Sequence, residues 1–121
     1  MTLRAVQALL EARTVAGQRF LDEVTIETAG AADLMSDVLA YSRSGTLLLT
    51  GLASAQSLST ADIADMKAII YVRGKQPPAE VVAQAEARGI PLLCTTLGMF
   101  ECCGRLYQAG VKDDGDASLR R

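Results

Sequence analysis

Apolar residues recur along this chain with two different periods, and each change of period marks a new element. Leu3, Val6, Leu9 and Leu10 repeat at helical spacing behind Thr2, a natural N-cap, so the first dozen residues predict an amphipathic helix. A short strand over 14–16 follows. Gly17 then turns the chain toward 24–28, where Val24-Thr25-Ile26-Glu27-Thr28 alternates and is largely β-branched, the pattern of a half-buried strand. The next helix is expected to begin near 30–33. Up to residue 41, Leu34, Met35, Val38, Leu39 and Tyr41 share one broad face, leaving Asp33, Asp37 and Ser42 toward water.

Two later runs, over 46–50 and 68–72, show no alternation and predict strands buried on both faces. Between them Leu58, Ala61, Ile63 and Met66 are placed to line a helix. Pro77 and Pro78 set up another helix start; Val81, Val82, Ala85 and Ala87 form its inner face, and Arg88-Gly89 ends it. The last strand reads over 90–95 and the last helix over 97–108. Strands alternating with helices imply right-handed crossovers. The expected fold is therefore a three-layer α/β/α architecture around a mainly parallel central sheet, mixed if one early strand runs antiparallel. The polar segment 112–121 is expected to be a disordered tail, leaving a single domain over 1–111.

Composition narrows the class. The chain has 121 residues, enough to bury a core without a metal or disulfide. Half of them are hydrophobic and only 4% aromatic, so small aliphatic side chains carry the packing. A formal net charge of -2 with scattered Arg and Lys offers no footprint for nucleic acid. No apolar run approaches the roughly 20 residues that span a bilayer, and the N-terminus reads as an amphipathic helix rather than a signal peptide. A cytoplasmic protein with no membrane contact is expected. Cys94, Cys102 and Cys103 are an odd number of thiols in such a chain, which argues against a disulfide framework and for packing roles.

The absence of any histidine constrains the chemistry most. A serine nucleophile has no imidazole base, and the adjacent Cys102 and Cys103 have no histidine to complete a tetrahedral metal site. A Walker loop needs a glycine five positions before Gly74, where Ile69 stands, and Ser or Thr after Lys75, where Gln76 stands. The dinucleotide fingerprint is missing too. Catalytic residues, metals and cofactors are therefore not expected, and the chain reads as a non-enzyme.

Binding is better supported. In open α/β sheets ligands collect outside the carboxyl ends of the strands. The two buried runs stop there at Thr50-Gly51 and Arg73-Gly74-Lys75, where glycine amides and two cations suit an anion. The plainer alternative is tight turns flanked by solvated cations. Gly30 and Asp33 reach the same edge, although Asp33 is better explained as a helix cap. Asp33 and Asp37 lie four apart, too common a pair to define a metal site. Thr95 and Thr96 end the last strand at this edge.

Five segments together carry a family resemblance: Ala32-Asp33-Leu34-Met35-Ser36-Asp37-Val38-Leu39, Leu47-Leu48-Leu49-Thr50-Gly51, Ala68-Ile69-Ile70-Tyr71-Val72-Arg73-Gly74-Lys75-Gln76-Pro77, Ala87-Arg88-Gly89-Ile90-Pro91-Leu92-Leu93 and Thr95-Thr96-Leu97-Gly98-Met99-Phe100-Glu101. Over 30–110 the chain resembles the DRTGG domain, which is similar to the N-terminal domain of HPr kinase/phosphorylase. The Asp-Arg-Thr-Gly-Gly string that names the family does not occur here. The resemblance implies a regulatory or dimer-forming module, as found beside CBS pairs in a regulated pyrophosphatase and at the head of some phosphotransacetylases. Stand-alone members accompany iron-only hydrogenases and electron-transfer subunits. The phosphoryl-transfer machinery of HPr kinase lies in a separate P-loop domain that has no counterpart in these residues.

The first reading is thus a homodimeric, non-catalytic domain that senses a small anion or nucleotide through Gly30, Asp33, Thr50, Gly51, Arg73, Gly74, Lys75, Thr95 and Thr96. The second is an assembly accessory with a protein partner in an electron-transfer complex, docking through the Met99-Phe100 helix and Tyr107. A third, thiol redox chemistry, requires Cys102 or Cys103 to be accessible and low in pKa.

Overall fold

The structure, a computed structural model, describes residues 1–114. The chain runs α1 (Leu3–Leu9), β1 (Arg13–Ala16), a single 3-10 turn (Gln18–Phe20), β2 (Thr28–Ala31), α2 (Met35–Tyr41), β3 (Leu47–Thr50), α3 (Ala55–Ile63), β4 (Ala68–Tyr71), α4 (Ala79–Arg88), β5 (Leu92–Cys94), α5 (Met99–Gln108) and β6 (Lys112–Asp113). The sheet has six strands in the order β1-β5-β4-β3-β2-β6. All neighbours pair in parallel except β1, which runs antiparallel to β5. The expected mixed, mainly parallel α/β/α fold is the one observed.

Every residue of β3, β4 and β5 is buried. Alternation sends Leu47, Leu49, Ala68, Ile70 and Leu93 to a layer built by α1 and α5 with Leu21 and Ile26. Leu48, Ile69, Tyr71, Leu92 and Cys94 go to the opposite layer, built by α2, α3 and α4. The successive crossovers from β2 to β5 all place their helices in this second layer. The connection through α5 alone returns along the first, and it delivers β6 to the far edge beside β2.

One polar pair is sealed inside the second layer. The Tyr71 phenol lies 3.0 Å from Ser57 Oγ, and both residues are fully buried. The single Ser57 hydroxyl proton goes to the Ser54 carbonyl at 2.8 Å, so Tyr71 is the donor to Ser57. Burial pushes the phenol pKa up, consistent with a neutral O–H there. The pair ties the start of α3 to the middle of the sheet.

Three expectations need correction. The alternating segment 24–28 is not the second strand; β2 begins only at Thr28, and its pairing with β3 runs through Ala29-Gly30-Ala31. The preceding residues clamp the N-terminus instead. Leu3 N–H donates to the Val24 carbonyl at 2.8 Å, Ile26 N–H donates to the Met1 carbonyl at 2.7 Å, and Thr2 bridges Thr25. The α2 helix starts at Met35 rather than near 30–33, and only Met35 and Val38 of its apolar set reach the sheet; Leu34, Leu39 and Tyr41 are exposed, as is Ile63 on α3. Two turns of helix over the β2 side bring only two apolar positions inward.

The third correction concerns the tail. Lys112 and Asp113 pair in parallel with Thr28 and Ala29, and Asp114 N–H donates to the Ala29 carbonyl at 3.2 Å. Backbone pairing with the open edge of β2 holds this polar stretch in place. The Asp114 carboxyl is buried against the bare face of Gly30, where a Cβ would collide with it. The expected disorder at 115–121 lies outside the described residues.

The buried pair separates hydrogen bonding from packing. Tyr71→Phe is expected to cost about 1 kcal/mol, the worth of one hydrogen bond, whereas Tyr71→Ala should cost about 3–5 kcal/mol through cavity formation. Urea denaturation of both variants checks this; equal losses would show that the hydroxyl pair does not act as described.

Candidate functional site

Because β2, β3, β4 and β5 are parallel, their carboxyl ends share one edge, and three of the loops leaving it converge on a single carboxylate. Ala32 N–H still donates to the Leu49 carbonyl, continuing the ladder one residue past β2 and delivering Asp33 beside the end of β3. Asp33 Oδ1 accepts the Gly51 N–H at 2.7 Å and the Thr50 hydroxyl at 3.3 Å. Arg73 Nη2 donates to Oδ2 at 3.1 Å. The Thr50 hydroxyl in turn accepts the Leu52 N–H at 3.1 Å, which orients its proton toward Asp33.

Glycine at 51 is a steric requirement of this arrangement. A Cβ there would overlap Arg73 Nη2 and stand 3.3 Å from Cζ and 3.4 Å from Asp33 Oδ1. The guanidinium therefore lies over the β3 loop only because that residue is bare. Electrostatics agree with the geometry. The Gly51 amide, more than the Arg73 guanidinium, holds the Asp33 carboxyl below its ordinary range against the opposing pull of burial.

Arg73 adopts a left-handed backbone, φ +59°, unusual for a residue with a side chain. Two backbone bonds maintain it: Arg73 N–H donates to the Leu97 carbonyl at 2.8 Å, and Gly74 N–H donates to the Thr95 carbonyl at 2.9 Å. The β4 and β5 loops are thereby stitched together. The Asp33 and Arg73 side chains remain 53% and 47% exposed, so the cluster is open to solvent.

The other residues named from sequence fall into three groups. Gly74, Lys75 and Thr96 lie on the exposed rim of the stitched loops, with open space above Gly74. Thr95 is buried and already engaged, its hydroxyl donating to the Leu10 carbonyl at 2.7 Å and accepting the Leu97 N–H at 3.1 Å. Gly30 lies inside β2 with Asp114 against it. Asp33 does not cap α2, whose N-cap is Leu34 with no side-chain bond. Among the described residues no three metal-capable side chains gather.

The overall shape was compared with solved structures. One match is the crystal structure of the CBS and DRTGG domains of the regulatory region of Clostridium perfringens pyrophosphatase, complexed with its activator diadenosine tetraphosphate. It has a TM-score of 0.69 and 13% sequence identity, covering 96% of this chain and 51% of that one. The likeness is one of fold. This chain thus spans about half the length of the pyrophosphatase regulatory chain. No protein-family model and no curated protein matches the sequence.

The thiols do not fit redox chemistry. Burial pushes Cys94 and Cys103 up and Cys102 to about 11, the reverse of what an attacking thiolate needs. Among the described residues no helix is long and apolar enough to cross a membrane.

The strained Arg73 backbone predicts an inverted ranking of substitutions. Arg73→Gly removes an exposed ion pair worth at most about 1 kcal/mol but relieves the left-handed strain, also about 1 kcal/mol. Its stability should match that of the native protein. Arg73→Ala keeps the strain and loses the pair, and should be about 1 kcal/mol less stable than Arg73→Gly. Equal stability of the two variants by chemical denaturation would remove the case for strain at this position.

Proposed function

We propose that this chain is a non-catalytic regulatory domain of the DRTGG type that binds a small phosphate-bearing ligand, a nucleotide, at the loops after β3 and β4. The carrying observation is the convergence of the Gly51 amide, the Thr50 hydroxyl and the Arg73 guanidinium on one oxyanion, the Asp33 carboxylate. Neutral and charged donors directed at one point are what an anion requires, and charge-assisted bonds are the stronger kind. Lys75 and Thr96 on the rim, with the open space over Gly74, would take the remainder of the ligand. The pyrophosphatase regulatory region of similar fold was crystallised with a nucleotide activator, which supports this ligand class. A regulatory rather than catalytic role is in keeping with a chain that has no histidine and whose cysteines are pushed away from the thiolate form.

A panel of inorganic phosphate, adenine and guanine nucleotides and diadenosine tetraphosphate, read by thermal shift, tests the proposal. A ligand at 100 times its Kd adds about 2.7 kcal/mol of stability, a rise of several degrees for a domain of this size. Arg73→Ala and Lys75→Ala should each weaken a hit by about tenfold, or 1.4 kcal/mol. A flat panel, or a hit indifferent to both substitutions, would remove the assignment.

A second reading, self-association or docking of a protein partner, rests on α5. Phe100 is 91% and Tyr107 77% exposed, and with Cys103 and Gly104 they occupy one helical face. Met99 turns inward instead, packing on the core beside Leu97. The stripe runs into a groove of about 270 Å³ between α5 and β2, lined by Ala29, Ala31, Leu49, Cys103, Leu106 and Tyr107. Exposed aromatic residues beside an apolar groove are a common mark of an interface. On this reading the protein is a dimer by light scattering, and Phe100→Ser with Tyr107→Ser makes it a folded monomer by circular dichroism, with a melting point that no longer depends on concentration. A monomeric native protein would argue against a dimer through this face.

A further inference from the structure

The anion seat is already filled by the protein's own carboxylate, and that bears on what can bind there. We propose that Asp33 is a built-in competitor: a phosphate-bearing ligand enters by displacing the Asp33 carboxylate from the Gly51 amide and the Arg73 guanidinium. This inference rests on the anion-binding reading above and concerns the regulation of that same site.

Four observations carry it. The donors to Asp33 are the ones an incoming oxyanion would use, at 2.7 Å from the Gly51 amide and 3.1 Å from Arg73. Asp33 is not needed where it stands as a cap, since α2 begins at Met35 with Leu34 as its N-cap and no side-chain cap bond. The ion pair is about half exposed, so solvent screening makes it weak and exchangeable. Finally, the Arg73 backbone is held by Leu97 and Thr95 rather than by Asp33, so the loop that carries the guanidinium keeps its place when the carboxylate leaves.

Selectivity follows from tethering. A carboxylate attached beside its donors competes at a high effective concentration. A free monocarboxylate offers no more charge than Asp33 and loses to it, whereas a phosphoryl group brings nearly twice the charge and a third oxygen. Asp33 therefore sets a threshold that excludes simple carboxylate metabolites and admits phosphorylated ones.

Isothermal titration with inorganic pyrophosphate and with acetate, on the native protein, Asp33→Asn, Asp33→Ala and Arg73→Ala, provides the test. Melting curves of each variant confirm that it is folded. Pyrophosphate should bind Asp33→Ala about tenfold more tightly than the native protein, with Asp33→Asn also tighter and Arg73→Ala weaker. Acetate should become detectable only when the Asp33 charge is removed. Unchanged or weakened pyrophosphate binding in both Asp33 variants, with Arg73→Ala still weaker, overturns the competition while leaving the anion site standing. Absence of binding in every variant overturns both.

Discussion

The architecture depends on two adjacent strands that cannot touch water on either side. All four residues of β3 and all four of β4 are buried, so this pair must be covered on both faces. Two helices cover one face and three the other, and parallel pairing requires the long crossovers that supply three of them. From β2 to β5 each crossover steps one strand further in the same direction. This places the carboxyl ends of β2, β3, β4 and β5 side by side, and with them the loops that carry Asp33, Gly51, Arg73 and Thr95. The candidate site is a consequence of how the core must be covered.

Within that edge, rigidity is unevenly distributed. Backbone bonds past the strand ends, from Val72 N–H to the Thr50 carbonyl and from Thr95 N–H to the Tyr71 carbonyl, extend the ladder into the loops. The Thr95 hydroxyl anchors the β5 loop to the end of α1, and the Tyr71–Ser57 pair anchors α3 below the β3 loop. Side chains at the top are different: Asp33 and Arg73 are half exposed and held to each other chiefly by an ion pair of low net value. A fixed backbone with exchangeable side chains is suited to reversible binding.

The β2 and β6 edge of the sheet is organised by a smaller device. The bare face of Gly30 receives the Asp114 carboxyl, whose pKa burial raises, while β6 extends the edge that β2 would otherwise present. The apolar groove lies between α5 and the paired β2 and β6, so it and the exposed stripe of α5 form one surface.

From the sequence alone, the unbroken apolar runs over 46–50 and 68–72 determined that the sheet is buried on both faces, and helical spacing between them determined the crossovers; these are local patterns, written in consecutive residues. The Thr2 cap and the end of α4 at Arg88-Gly89 were legible for the same reason. Where β-branched alternation at 24–28 competed with a tertiary clamp on the N-terminus, the clamp won, and the true strand formed from small residues with no strand signature of their own. Asp33 was legible as an acid near a helix start but not as the acceptor for Gly51 and Arg73. Those partners lie 18 and 40 residues away, and only the parallel stacking of three strands brings them within hydrogen-bond distance.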